Sequence, residues 1–265
     1  MSSQKKCLKG RIELWPIRDG AMHKQREVET KAGVTSFTLD LDRNQIAVAI
    51  CGQGSYKECI NSGSVELLRF GDPSPSTNVL LTKVSLVTSL AISRNGETLA
   101  FATCVGFPES GPPTDQCAAG GIQFMNLKTG DVLDGMLLGH QQAVSAMSFS
   151  PKGDVLMSGG LDGSIAFWDP SARQRLGPVI QGHLLSVFAI AFVSDVVAVS
   201  ESEKDAAEWI ANPMEWKKIA CSLLRRKLSE TEARQYLGSK QSPRDPCSEI
   251  GKRGNKSWLL RLIDG

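Results

Sequence analysis

With 265 residues, 41% of them hydrophobic and 22% charged, the chain has the composition of a folded protein, not of a disordered or collagen-like one. Three histidines exclude a metal site built from several His, and a net charge of +2 excludes a strong whole-molecule field of the kind that draws nucleic acid. No run of roughly 18 apolar residues occurs, so no membrane helix is expected, and a start without the apolar core of a leader points to a cytoplasmic protein.

The first predicted strand is GRIELWPI at 10–17. Four longer segments follow, and each opens with an alternating apolar run: VTSFTLDLD from Val34, VTSLAISRN from Val87, VSAMSFSPKG from Val144 and VFAIAFVSD from Val187. Alternation of period two is the pattern of a half-buried strand. Turn residues come next, then a second apolar strand (IAVAIC, TLAFATC, DVLMSGG, VVAVSES), then a third (GSVELLRF, GIQFMNL, GSIAFWD, DAAEWIA). The strand at 10–17 is a lone copy of that third strand.

The copies keep register. The third strands carry Trp15, Leu68, Met125, Trp168 and Trp209 at one repeat position. Fifteen residues after each of the first four stand Thr30, Lys83, His140 and His183. Four residues further stand Val34, Val87, Val144 and Val187. Such self-similarity at a fixed period marks a repeat architecture. Length differences fall in two insertions, 52–62 and 105–119. These carry Tyr56, Phe107, Pro112 and Pro113, residues suited to contacts with a partner.

The repeat register also orders the cysteines. Cys51 and Cys104 each lie 17 residues after the opening Val of their repeats, while Cys59 and Cys117 stand just ahead of the third strands. Paired strands bring such ends within disulfide range, so Cys51–Cys59 and Cys104–Cys117 are the expected pairs. Buried thiols in a reducing cytosol stay open as the alternative, and a metal built from both loops is a weaker third reading. The counterpart of Cys59 and Cys117 in the first copy is Cys7, whose partner would precede Met1. The chain is therefore read as a remnant or separately encoded piece of a longer array.

At Gly139-His140 through Leu161-Asp162-Gly163-Ser164-Ile165-Ala166-Phe167-Trp168-Asp169, and at Gly182-His183 through Trp209, the sequence resembles the WD-repeat β-propeller family, over about 10–210. Elsewhere Trp-Asp is replaced by Trp15-Pro16, Leu68-Arg69, Met125-Asn126 and Trp209-Ile210. The resemblance implies four-stranded blades packed radially, each tied by a network of His, hydroxyl, Asp and Trp. It places His140, Asp162 and Trp168 in one such network and His183 and Trp209 in another. Gly160 stands where the first network expects its hydroxyl, so an incomplete network is expected. Glu201 and Glu203 stand at the two remaining positions of the second. This structural role outweighs an acid–base role for either histidine.

After Trp209 the apolar period becomes helical. Asn212 suits the N-cap and Pro213 the first turn. Trp216, Ile219, Ala220, Leu223 and Leu224 share one face, and Arg225, Arg226 and Lys227 complement the C-terminal dipole. Ser229-Glu230-Thr231-Glu232 opens a second short helix that Gly238 ends. The run from Met214-Glu215-Trp216 to Asp245-Pro246-Cys247 resembles the tail of many bacterial WD-repeat proteins, including signalling NTPases of the STAND class. It departs from that pattern at Ala233, where an aromatic is usual. Cys221 and Cys247 form a candidate third pair. Residues 1–210 carry 18 Lys+Arg against 22 Asp+Glu and residues 211–265 carry 12 against 6. The basic tail reads as a solvated helix face rather than a nucleic-acid site.

The expected fold is all-β: an incomplete β-propeller of about four four-stranded blades plus an orphan N-terminal strand, with a short α-helical C-terminal tail. Its divisions are a partial blade at 1–33, blades at 34–211, a helical tail at 212–238 and an irregular basic tail at 239–265. A ring that does not close leaves strand edges. Tail helices could cover one, the strands near 10–17 and 26–31 could pair with the last blade, or chains could associate. The expected function is a non-catalytic scaffold or sensor with a protein partner, such as an upstream propeller half or an NTPase or effector protein. No cofactor and no metal is expected. The alternatives are a propeller-type hydrolase and a truncated gene remnant without a role of its own.

Overall fold

The computed structural model describes residues 10–15, 17–18, 21–22, 26–30, 32–51, 63–70, 76–106 and 117–223. Two units are present, Met1–Ala211 and Asn212–Gly265. Among its described residues, the regular elements of the first are all strands. It opens with an antiparallel pair, β1 (Gly10–Leu14) and β4 (Arg26–Thr30), with the small hairpin β2 (Ile17–Arg18) and β3 (Ala21–Met22) between them in sequence.

Blade one is β5 (Gly33–Asp40), β6 (Gln45–Cys51), β7 (Gly63–Arg69) and β8 (Ser76–Val84), in sequence order across the sheet. Blade two repeats this with β9 (Val87–Ile92), β10 (Thr98–Cys104), β11 (Gly120–Asn126) and β12 (Leu137–His140). Blade three has β13 (Val144–Phe149), β14 (Leu156–Gly160) and β15 (Ser164–Asp169). Its outer strand is broken into β16 (Gln174–Arg175) and β17 (Ile180–Gln181), which both pair with β15. Blade four has three strands, β18 (Val187–Phe192), β19 (Val197–Ser202) and β20 (Ala206–Ile210).

Short hydrogen-bonded turns make this meander possible. Gly96 and Gly153 adopt φ of +67° and +76° between the first and second strands of blades two and three, a conformation that L residues with a Cβ rarely hold. Ser93 and Ser150 close these turns by accepting the backbone N–H of Thr98 and Val155.

The core lies between blades. Ala47, Ala49, Val65 and Leu67 of blade one pack against Val87, Leu90, Leu99, Phe101 and Met125 of blade two. Ala91, Ala100, Ala102, Ile122 and Phe124 of blade two pack in turn against Val144, Met147, Phe149, Leu156 and Trp168 of blade three. Blades two and three are thus covered on both faces, and the second strands of the first three blades, β6, β10 and β14, are buried along almost their whole length. The fold is all-β, blade-like and not closed. Of the three fates weighed for the edges, pairing of the N-terminal strands with the last blade does not occur: β1 pairs with β4, and among the described residues β20 pairs with β19.

In the second unit, α1 (Pro213–Leu223) starts where the Asn212 side chain accepts the N–H of Met214 at 2.9 Å and of Glu215 at 3.3 Å. The short helix expected at 229–238 and the basic tail at 239–265 lie outside the described residues, as do Arg225–Lys227.

Candidate functional site

Two hydrogen-bond chains, each centred on a buried histidine, run through blades three and four. In blade three the indole N–H of Trp168 donates to Ser158 Oγ at 2.7 Å, and the same oxygen lies 2.7 Å from His140 Nε2. On the other side of the ring, Nδ1 lies 2.7 Å from Ser164 Oγ, which donates to Asp162 Oδ1 at 2.6 Å. Since Ser164 gives its proton to a carboxylate, its oxygen accepts from Nδ1–H. The ring then accepts at Nε2 from Ser158. All donors point one way, from Trp168 towards Asp162.

The hydroxyl missing at Gly160 is therefore supplied by Ser158 and Ser164, and the network is complete. A Cβ at Gly160 would strike the Asp162 carboxylate and lie 2.7 Å from His140 Nδ1, so the ring and carboxylate already occupy that space. Burial alone would raise the Asp162 carboxyl. Hydrogen bonds from His140, from the Ser164 hydroxyl and N–H, and from the Gln141 N–H outweigh it and hold Asp162 well below the usual carboxylate range.

Blade four carries the same device with different residues from those expected. Trp209 donates to Ser200 Oγ, which meets His183 Nε2, both at 2.7 Å, and His183 Nδ1 meets Asp205 Oδ1 at 2.7 Å. Ser200 and Asp205 fill the roles assigned to Glu201 and Glu203. Glu201 is exposed, because alternation turns it to the opposite face from Ser200. Hydrogen bonds from Ser202 and from His183 lower the Asp205 carboxyl. The repeat position of the first serine is nearly constant, ten residues before Trp168 and nine before Trp209. That spacing is the signal that could have found it.

A second recurring device joins the blades. Thr35 Oγ1 donates to the carbonyl of Val87 at 2.8 Å, Thr88 Oγ1 to that of Val144 at 2.7 Å, and Ser145 Oγ to that of Val187. Each hydroxyl follows the opening Val of its blade and reaches the opening Val of the next. Glycines recur at these junctions for a steric reason. A Cβ at Gly63 would lie 3.0 Å from the Val84 carbonyl, one at Gly120 2.6 Å from that of Gln142, and one at Gly163 on that of His183. Opposite Ser36, Ser89, Ala146 and Ala189, the second strands place Ala49, Ala102, Gly159 and Glu201.

The ends of the inner strands enclose a cavity of about 420 Å³. Leu39, Ile92, Phe149 and Phe192, one repeat position in four blades, supply its apolar wall, with Asp42 and Arg94 also lining it. Asp40 is buried there and accepts from Gln45 at 2.9 Å and from Arg43 at 3.3 Å.

Cys104 and Cys117 form a disulfide across the base of the second insertion. Cys51 and Cys221 are disulfide-bonded as well, and the partners expected for them, Cys59 and Cys247, lie outside the described residues. So do the candidate contact residues Tyr56, Phe107, Pro112 and Pro113. Among the described residues no group of three or more His, Cys, Asp and Glu gathers as a metal site, and no helix is long and apolar enough to cross a membrane.

Residues 132–169 match the family model WD40, described as WD domain, G-beta repeat. This stretch is similar to a WD40 repeat. It begins just ahead of β12 and ends with β15, so the matched unit straddles blades two and three. That stagger lets His140, on the outer strand of blade two, bond inside blade three. Together with the sheet-built fold, the repeat supports a WD-repeat family and a protein-interaction scaffold kind of module. Comparison with curated proteins gave no match.

Proposed function

We propose that the chain is a non-catalytic scaffold or sensor module for protein–protein contact, working as part of a larger bacterial signalling protein or beside one, such as an NTPase or effector protein. The observation that carries this reading is the burial of His140 and His183, the two candidate acid–base groups of the blades, with both ring nitrogens of each engaged in the fold. A general base needs reach to a substrate proton, and neither ring offers it. The signalling context rests on the resemblance of the tail at 214–247. The disulfides weigh against the cytoplasmic placement expected from the chain start, because a reducing cytosol keeps thiols free.

The insertions are the proposed contact loops. Affinity capture from native lysate should recover a partner with the full chain and lose it with a variant lacking 105–116, which keeps both Cys104 and Cys117. Equal capture by the two proteins removes the loop from the binding function.

A further inference from the structure

The junction rules hold where one blade meets the next and fail at the two ends in different ways. At the N-terminal end, apolar residues are uncovered. Phe37 is 58% exposed, although its counterparts Leu90 and Met147 are buried against the preceding blade. Leu39 is 44% exposed, whereas its counterpart Phe149 is buried. Trp15 is 45% exposed, whereas Leu68, Met125 and Trp168 at the same position are buried. Among the described residues, Ile12 of β1 and Ala32, just after β4, cover the outer part of this face, where they pack on Ile46, Val48 and Leu68.

At the C-terminal end the face is mixed, with Phe188 53% exposed beside charged side chains. The junction hydroxyl is replaced by Phe188, the small residue of the second strand by Glu201 and the glycine by Lys204. Glu201 and Glu208 are exposed there.

We propose that the Phe37–Leu39 face binds an antiparallel strand pair of a partner chain, which extends the β1–β4 sheet and forms a further blade junction. The interface is continuous with one already present, and this defines the occupant's chemistry. At the two apolar junctions downstream, the covering strands bring Ala47 and Ala49, or Ala91, Ala100 and Ala102. The partner's second strand therefore carries small residues in alternation. Its first strand carries a Thr or Ser that donates to the carbonyl of Val34, as Thr35 and Thr88 do one and two blades on. A second copy stacked head to tail does not meet that description, since its blade-four face would bring Glu201 under Phe37, where the downstream junctions place Ala49 and Ala102. This inference rests on the scaffold reading and names the partner's form.

The probe is a backbone-cyclised hairpin of residues 87–103, which holds β9 and β10 together without a neighbour. It is titrated into the full chain and followed by tryptophan emission, because Trp15 becomes covered. Saturable binding is expected. Phe37→Asp, at an exposed position that leaves folding intact, should weaken it at least about tenfold. A hairpin with Ala100→Glu and Ala102→Glu should weaken it by a similar factor. Lack of saturation, or equal affinity in either control, overturns the proposal. So does a Phe37-dependent homodimer in sedimentation, which would assign the face to a second copy. If the hairpin fails while loop-dependent capture from lysate persists, the scaffold reading stands and this docking surface falls. If both fail, the scaffold reading falls too.

Discussion

Ser158→Ala removes one oxygen from the centre of blade three. Ser158 is fully buried, and its hydroxyl both accepts from Trp168 and meets His140 Nε2. The substitution leaves an indole N–H and a ring nitrogen buried and unmet. A buried polar group left without its partner costs about 1–3 kcal/mol, so the pair sets the loss at roughly 2–6 kcal/mol. The expected drop in urea midpoint is about 1 M if the unfolding slope is near 3 kcal/mol per M. Urea unfolding followed by circular dichroism measures the loss, and exchange of the Trp168 indole proton by NMR localises it. Ser200→Ala, the same change in blade four, should cost less by at least about 1 kcal/mol, because Trp209 is only half-buried and water can reach its N–H. A Ser158→Ala protein within about 0.5 kcal/mol of the parent, or equal losses for the two variants, would refute the idea that these hydroxyls bind the blades together.

Gly120→Ala should destabilise by about 1–3 kcal/mol, seen as a lower thermal midpoint, since the new Cβ meets backbone at Gln142 O (2.6 Å) and Val144 N (2.9 Å). Thr88→Val, which keeps shape but loses the bond to the Val144 carbonyl, should cost about 1 kcal/mol in urea unfolding. The folded Asp162 carboxyl is depressed from its ordinary value of 3.8, so its contribution is whole above that value and is lost as pH falls towards the folded one. Urea midpoints should therefore fall with acid more steeply in the parent than in Asp162→Asn. Cys117→Ser opens a closed loop with a sequence separation of 13 and should lower stability by about 2–3 kcal/mol. Adding reductant should shift the parent's midpoint and leave the Cys104→Ser/Cys117→Ser double variant closer to unchanged.

The blade order could be read from the sequence because period-two alternation repeats behind a constant Val. Burial on both sheet faces reinforces that signal in strands such as IAVAIC, which forms β6. The bonding partners of the histidines were harder to read, since one serine looks like any other until a strand is registered against its neighbour. Gly160 stands where the repeat pattern expects a hydroxyl, yet the ring and carboxylate fill that space and Ser158 does the bonding. In blade four the turn at Ser202–Asp205 brings Asp205 to the imidazole, which a fixed offset from Trp209 does not reveal. The hydroxyls of Thr35, Thr88 and Ser145 stand at one position after the opening Val in three of the four blades. Their role was not visible there, because their acceptors lie 52, 56 and 42 residues away in the next blade.

Glu201 has a consequence for how the molecule behaves at high concentration. Units that stack head to tail without closing propagate into filaments whenever the front of one fits the back of the next. This chain has an oily front at Phe37, and a carboxylate at 201 denies it a matching back. Exchange of that side chain for alanine removes one of the groups that oppose such stacking, beside Lys204 and Glu208, and a rise in light scattering at high concentration is the outcome to watch for.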